Sequence, residues 1–156
     1  MQEAKPGFAL TAVIPGMVLG PAVLGGLGGS SEFFWQMLNA GSHMPAEESL
    51  GLVDLDDVVQ GHIRAMENNA VDGKRILLVS DSSPRFENIG WAKEHRPDAP
   101  FDKLPIPANA EEVKQRLTKF DTKTSQEMLG IKYKDVKTTV LDFVDWVLDT
   151  QPKTAS

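Results

Sequence analysis

Two short apolar runs without polar alternation constrain this chain more than any other feature. Phe8 to Ile14 reads Phe-Ala-Leu-Thr-Ala-Val-Ile, and Lys74 to Ser80 reads Lys-Arg-Ile-Leu-Leu-Val-Ser. A strand with one wet face alternates in polarity; a strand covered on both faces, as in a parallel sheet, does not. Pro15-Gly16 closes the first run. Two such strands cannot by themselves make a sheet that is covered on both faces. The pattern therefore predicts an α/β fold whose parallel sheet is incomplete here and finished by other residues, the alternative being a small, marginal fold.

The remaining segments read mostly as helix and loop. Ser30 or Ser31 caps a helix over Glu32 to Leu38 that continues to Gly41, after a glycine-rich loop from Gly25 to Gly29. Gly51 to Asp54 reads as a very short strand or turn. Asp54 or Asp56 then caps a helix from about Asp57 to Asn68, with Val58, Ile63, Ala65 and Met66 on its apolar side. Ser82 or Ser83 caps a further helix, opened by Pro84 and fading near His95. Residues 97 to 107 hold four prolines and predict an irregular crossing. Lys119 to Asp121 reads as extended. Thr122 or Thr124 caps a helical turn through Met128, stopped by Gly130. Val136 to Leu148 is amphipathic, with Val140, Leu141, Val144, Val147 and Leu148 at helical spacing and Phe143 and Trp146 widening the stripe. Residues 1–150 thus read as one portion of a single domain, with 151–156 as a frayed tail.

Composition removes several function classes. The chain has no cysteine, which excludes disulfides, thiolate metal sites and a cysteine nucleophile. Its net charge is -6 and no basic block interrupts it, which argues against nucleic acid. Residues 7 to 29 are apolar, but Pro15, Pro21 and seven glycines argue against a membrane helix. No basic stretch precedes a compact apolar one, so no signal peptide is expected; with no cysteine, a cytoplasmic protein is the easiest reading. Asp54, Asp56 and Asp57 lack the glycine and glutamate of a calcium loop and read as helix caps. His43, His62 and His95 are too scattered for a metal site.

Three ordered stretches carry a resemblance that spans nearly the whole chain. They are Val13-Ile-Pro-Gly-Met-Val-Leu-Gly-Pro21, Val53-Asp-Leu-Asp-Asp-Val-Val-Gln-Gly-His62, and Phe120-Asp-Thr-Lys-Thr-Ser-Gln-Glu-Met-Leu-Gly-Ile-Lys-Tyr133, with Gly73-Lys-Arg-Ile-Leu-Leu78 between the last two. The set resembles the C-terminal half of extended short-chain dehydrogenases/reductases. The nearest branch is the fungal methylglyoxal and ketone reductases, with dihydroflavonol and cinnamoyl-CoA reductases beside it. The resemblance implies the C-terminal part of a Rossmann-like fold, with an incomplete sheet and a mostly helical substrate-binding portion. It also implies NADPH as cofactor, with NADH left open, and a small-molecule carbonyl substrate.

By the same resemblance, Pro15, Gly16 and Val18 meet the nicotinamide and Ser30 reaches the cofactor. Met17 faces the substrate, and Phe33, Phe34 and Met37 close its pocket. Plainer readings stand beside these: a strand-ending turn, a helix cap at Ser30 or Ser31, and core packing for the apolar residues. The family's Ser-Tyr-Lys set and glycine-rich motif belong to its other half, so no residue here is expected to be catalytic. Gly26-Leu-Gly28 does not complete a dinucleotide motif. Tyr133 and Lys137 satisfy Tyr-x-x-x-Lys formally, but they sit where the family packs its last helix. Arg85 reads either as a ligand contact or as a solvated helix start. The chain is expected to be inactive and aggregation-prone alone, and to pair with the missing N-terminal half or a homologous subunit. The rivals are a non-catalytic binding or scaffold module and a sugar-nucleotide epimerase relative.

Overall fold

The computed structural model describes residues 7–22, 26–39 and 42–150. Gly25, Gly41 and the tail 151–156 lie outside the described residues. In chain order the elements are β1 (Ala12–Pro15), β2 (Met17–Leu19), α1 (Gly29–Leu38), β3 (Ser49–Asp54), α2 (Leu55–Glu67), β4 (Arg75–Leu78), β5 (Asp81–Pro84), α3 (Arg85–His95), α4 (Ala110–Gln115), α5 (Lys123–Leu129) and α6 (Val136–Thr150).

The two unalternated runs do pair in parallel. β1 lies beside β4 in register from Ala12↔Arg75 to Pro15↔Leu78. The chain then changes partner: β2 runs parallel to β3, and β3 is flanked on its other edge by antiparallel β5. Gly16 is the point of exchange. Its N–H donates to the Leu78 carbonyl at 2.9 Å. A Cβ there would lie 2.5 Å from the Gly51 carbonyl oxygen, so no side chain fits between the strands. Gly61 meets a similar limit between helix and sheet, where α2 lies so close to β4 that a Cβ would strike Leu78.

Several expectations need correction. The first strand begins at Ala12, not Phe8; Phe8 and Leu10 are 69% and 68% exposed. Pro15 is the last residue of the strand and Gly16 lies outside it, so Pro15-Gly16 does close the first run. β3 runs for six residues, beginning at Ser49. Ser82 and Ser83 cap nothing: they lie in β5, with their hydroxyls donating to the Thr118 carbonyl (2.8 Å) and to Asn88 Oδ1 (2.7 Å). Helix α3 starts only at Arg85. Ser30 lies inside the first turn of α1, whose cap position is Gly28. Helix α4 has no counterpart in the sequence reading, and residues 119–121 form no strand. The Asp54 cap, the left-handed Gly130 stop (φ 62°) and helix α6 follow the sequence reading.

Two cores result. The larger lies between α1, α3 and α6 and buries Phe34, Leu38, Ile89, Val140, Phe143 and Val144. The smaller lies under α2 and holds Val53, Val58, Ile76, Leu78, Leu129 and Ile131. No described helix is long and apolar enough to cross a membrane.

Candidate functional site

The sequence singles out the segment where β1 gives way to β2. A parallel strand that changes partner at its carboxyl end leaves a crevice where backbone groups are reachable. Pro15 is exposed there, while Gly16, Met17 and Val18 are half-buried. Ser30 joins this segment directly: its Oγ donates to the Val18 carbonyl at 2.9 Å. The contact ties the first turn of α1 to β2. Pro15 has no N–H, the Gly16 N–H is taken by Leu78 and the Ser30 proton by Val18, so the segment presents chiefly backbone carbonyls and the Ser30 oxygen, and no cation. That set fits a neutral carboxamide and does not fit a phosphate, which calls for cations or an open helix N-terminus.

The four apolar candidates separate. Phe34 is fully buried and packs edge-on against Phe143, with ring centroids 5.6 Å apart. Its surface is taken up by the core. Phe33 is 42% exposed and shares a cleft of about 610 Å³ with Met37, Trp35, Asn39, His43 and Met44. Met37 is itself almost wholly buried and forms the floor of that cleft. Met17 packs against the larger core and does not line the cleft.

Arg85 is the residue that sequence reasoning misplaced. Instead of opening a solvated helix, it is fully buried. Nε donates to the Met37 carbonyl (2.7 Å), one terminal nitrogen to the Met44 carbonyl (2.9 Å), and the other pairs with Asp102 Oδ2 (2.6 Å). A second bond, from the Asp102 N–H to the Leu38 carbonyl (2.9 Å), closes the arrangement. The end of α1, the Met44 loop that borders the cleft and the Asp102 loop are therefore held by one guanidinium. Five fixed donors suit that task. No local signal marked it, because its partners lie far along the chain.

The Tyr133–Lys137 pair is a structural feature. The Tyr133 hydroxyl lies 2.7 Å from Ser125 Oγ and 3.3 Å from the Leu77 carbonyl, to which it donates. Burial pushes its pKa above the usual phenol value, with the Ser125 contact opposing. A catalytic tyrosine needs the opposite shift, a pKa lowered by its lysine. Both residues border a separate cleft of about 750 Å³ whose lining also includes Lys132, Lys134, Asp81, Glu87 and Asp135. The acidic cluster is structural as well. Asp54 accepts from the Asp56 N–H (2.9 Å) and pairs with Lys134 Nζ (2.7 Å), while Asp57 accepts from the Lys134 N–H (2.9 Å). No cluster able to hold a metal occurs among the described residues.

No protein-family model matches the chain. Individual proteins do. A Candida albicans protein provisionally named an NADPH-dependent methylglyoxal reductase is 26% identical across 95% of this chain and 46% of its own length. A ketoreductase of Aspergillus niger is 26% identical over 96% of this chain and 46% of its own. The structure of Gre2 from Candida albicans in complex with NADPH superposes with a TM-score of 0.79 at 27% identity, covering 97% of this chain and 47% of that one. The chain thus spans about half the length of the relatives it matches. Taken with the parallel β1–β4 and β2–β3 pairs, these likenesses show that the chain is related to the extended short-chain dehydrogenases/reductases and corresponds to the C-terminal portion of their fold.

Proposed function

We propose that residues 1–150 form one portion of an NADPH-dependent carbonyl reductase, supplying the nicotinamide-side and substrate-side surfaces but not the catalytic set. The observation that carries this reading is the state of Tyr133. It is the chain's one tyrosine, and the fold uses its hydroxyl to join the segment before α6 to Ser125 and β4. No other group among the described residues can protonate a developing alkoxide as a tyrosine–lysine pair does. Bound NADPH supplies the hydride. Backbone groups of Pro15, Gly16 and Val18, with the Ser30 hydroxyl, hold and orient the neutral carboxamide end. The cleft residues Phe33 and Met37 wall the carbonyl substrate and exclude water; Phe34 and Met17 support them from the core.

Under this reading the dinucleotide phosphates, the Ser-Tyr-Lys set and the choice of NADPH over NADH belong to a partner half, in a cytoplasmic protein. The test is turnover by the purified chain with methylglyoxal and NADPH. The expected result is no oxidation of NADPH above the uncatalysed rate, and no NADPH binding near micromolar affinity, about -8 kcal/mol. Turnover that Tyr133→Phe abolishes would overturn the proposal.

A further inference from the structure

We propose that residues 103–108, Lys-Leu-Pro-Ile-Pro-Ala, are a preformed polyproline II ligand, and that their partner is a protein domain with an aromatic-lined groove of the SH3 or WW kind. The inference is independent of the reductase reading above. It starts from the large apolar residues that the fold leaves in water. Phe8, Leu10, Val59, Ile63 and Met66 flank the unfinished sheet, just before β1 or along α2. Phe33 rims the cleft. Ile106 stands apart from both groups, is 76% exposed and lies between two prolines.

Local sterics fix the backbone there. A proline holds its own φ at about -65° and drives the residue before it out of the helical region. Leu104-Pro105-Ile106-Pro107 applies both rules twice, so all four residues are confined to extended, polyproline II geometry. Burial follows the same geometry, which has about three residues per turn. Phe101 is buried, and Leu104 and Pro107 are half-buried, with Leu104 packed on the larger core. Lys103 and Ile106 are exposed on a second edge, Pro105 and Ala108 on the third. No backbone group of residues 103–106 makes a hydrogen bond among the described residues, and a polyproline II helix has none of its own. The prolines that predict an irregular crossing build a regular rod instead.

The rod's shape and chemistry select the occupant. One edge is packed on the protein's own core, which leaves two free, and a three-edged rod lying in a groove touches it with two edges. The Pro105 ring and the Ile106 side chain sit next to each other on those edges and offer the apolar contact that parallel aromatic rings clamp. The backbone is already fixed, so binding orders little new chain. A partner that adds a β-strand is a poor fit, because Pro105 and Pro107 have no N–H to give its ladder. Lys103 shares the Ile106 edge one turn away, and its neighbour Asp102 is committed to Arg85. The matching groove therefore carries a carboxylate at the Lys103 end.

The experiment is titration of the full chain, labelled with nitrogen-15, with an SH3 domain and separately with a WW domain, read by amide chemical shifts. The expected result is saturable shifts confined to Lys103, Leu104, Ile106 and Ala108 with at least one of the two domains. Affinity should fall about tenfold in Ile106→Asp, the loss of one well-buried anchor, and less in Lys103→Glu. It should be unchanged in Met66→Lys, an exposed control elsewhere. Circular dichroism of each variant checks that the fold is intact. The proposal is overturned by the absence of saturable shifts with both domains, by shifts that Ile106→Asp leaves intact, or by shifts centred on Phe33 and Trp35. A dimer of the chain that Ile106→Asp dissociates would overturn it as well, by making a second copy the occupant. Reductase activity has no bearing on any of these outcomes, so the two proposals fail separately.

Discussion

The core between α1, α3 and α6 holds Phe34, Leu38, Phe143 and Val144 at 1% exposure or less, whereas α2, which roofs the other core, leaves Val59, Ile63 and Met66 in water. The first core has thirteen buried apolar residues and the second seven, so most of the burial energy sits on the α6 side. Polar contacts follow the same division. Arg85 is fully buried with three partners, and Arg96 bonds both Asp145 and Asp149, fastening α3 to α6. Under α2 the long-range polar ties include Arg64 to the Leu129 and Gly130 carbonyls, Asn68 to the Met128 carbonyl, and Lys134 to Asp54 and Asp57. One side of the molecule is closed by its own residues; the other leaves large apolar residues exposed. The sequence reading expects the isolated chain to be aggregation-prone or molten, with the terminal helix Val136–Leu148 still able to pack on partners within the chain; the partners that α6 has in the larger core are α1 and α3.

The largest effect should come from the closed core. Phe143→Ala removes a ring that packs against both Phe34 and Trp146, and should cost about 3–5 kcal/mol in urea unfolding. If Ile76→Ala in the smaller core cost as much, the two cores would be equivalent and the contrast would fail. Arg85→Met should cost about 3 kcal/mol, because it strands Asp102 and two carbonyls. A neutral result would mean that those groups find water, and that the end of α1 is not held by the guanidinium.

How far this molecule is legible in its sequence depends on where each residue's partners lie. Helix α6 declares itself through Val140, Val144 and Val147, because one face meets one core. Asp54 is legible as a cap because its partner is two residues away. Ser82, Ser83 and Pro84 read as a helix opening, since nothing local says that the serines bond Thr118 and Asn88 from a strand. Helix α4 has one apolar residue beyond its opening alanine, Val113, and so no period to detect. The candidate site divides in the same way. Gly16 is visible as a turn residue, but its true constraint is the Gly51 carbonyl across the sheet. Phe33, Phe34 and Met37 form one apolar group in sequence, and only packing separates floor, rim and core.

Smaller effects sharpen the contrast. Tyr133→Phe should cost about 1 kcal/mol, the value of a hydroxyl shared between Ser125 and Leu77. It should leave any activity recovered with the partner half unchanged. A loss of turnover without a loss of stability would restore Tyr133 as a catalytic candidate.

The smallest effect is the pH response, and it carries opposite signs on the two sides. Burial raises the Asp57 pKa, opposed by the Lys134 N–H bond. The native state then takes up a proton before the unfolded one does. The α2 side should gain stability as pH falls through that raised value, the gain being complete below the ordinary aspartate range. For Asp145, burial pushes upward but is outweighed by the hydrogen bonds from His95 and Arg96, which hold its pKa below the ordinary value. The stability it contributes is present above the ordinary range and lost as pH falls through the lowered value. Asp145 is well exposed, so screening should keep this contribution small and salt-sensitive. Local exchange rates in α2 and α6 across mild acid check both signs; a common direction would contradict the assignment.

Residue-resolved hydrogen exchange on the isolated chain tests the central contrast most directly. The account predicts slow exchange, governed by global unfolding, for the buried turns of α6 and α3 around Val140, Phe143 and Ile89. It predicts exchange near the rate of local opening for Val13 and the outer stripe of α2. Uniform protection across both sides, with Val13 exchanging as slowly as Phe143, would show that the β1/α2 surface is already closed and would contradict the account.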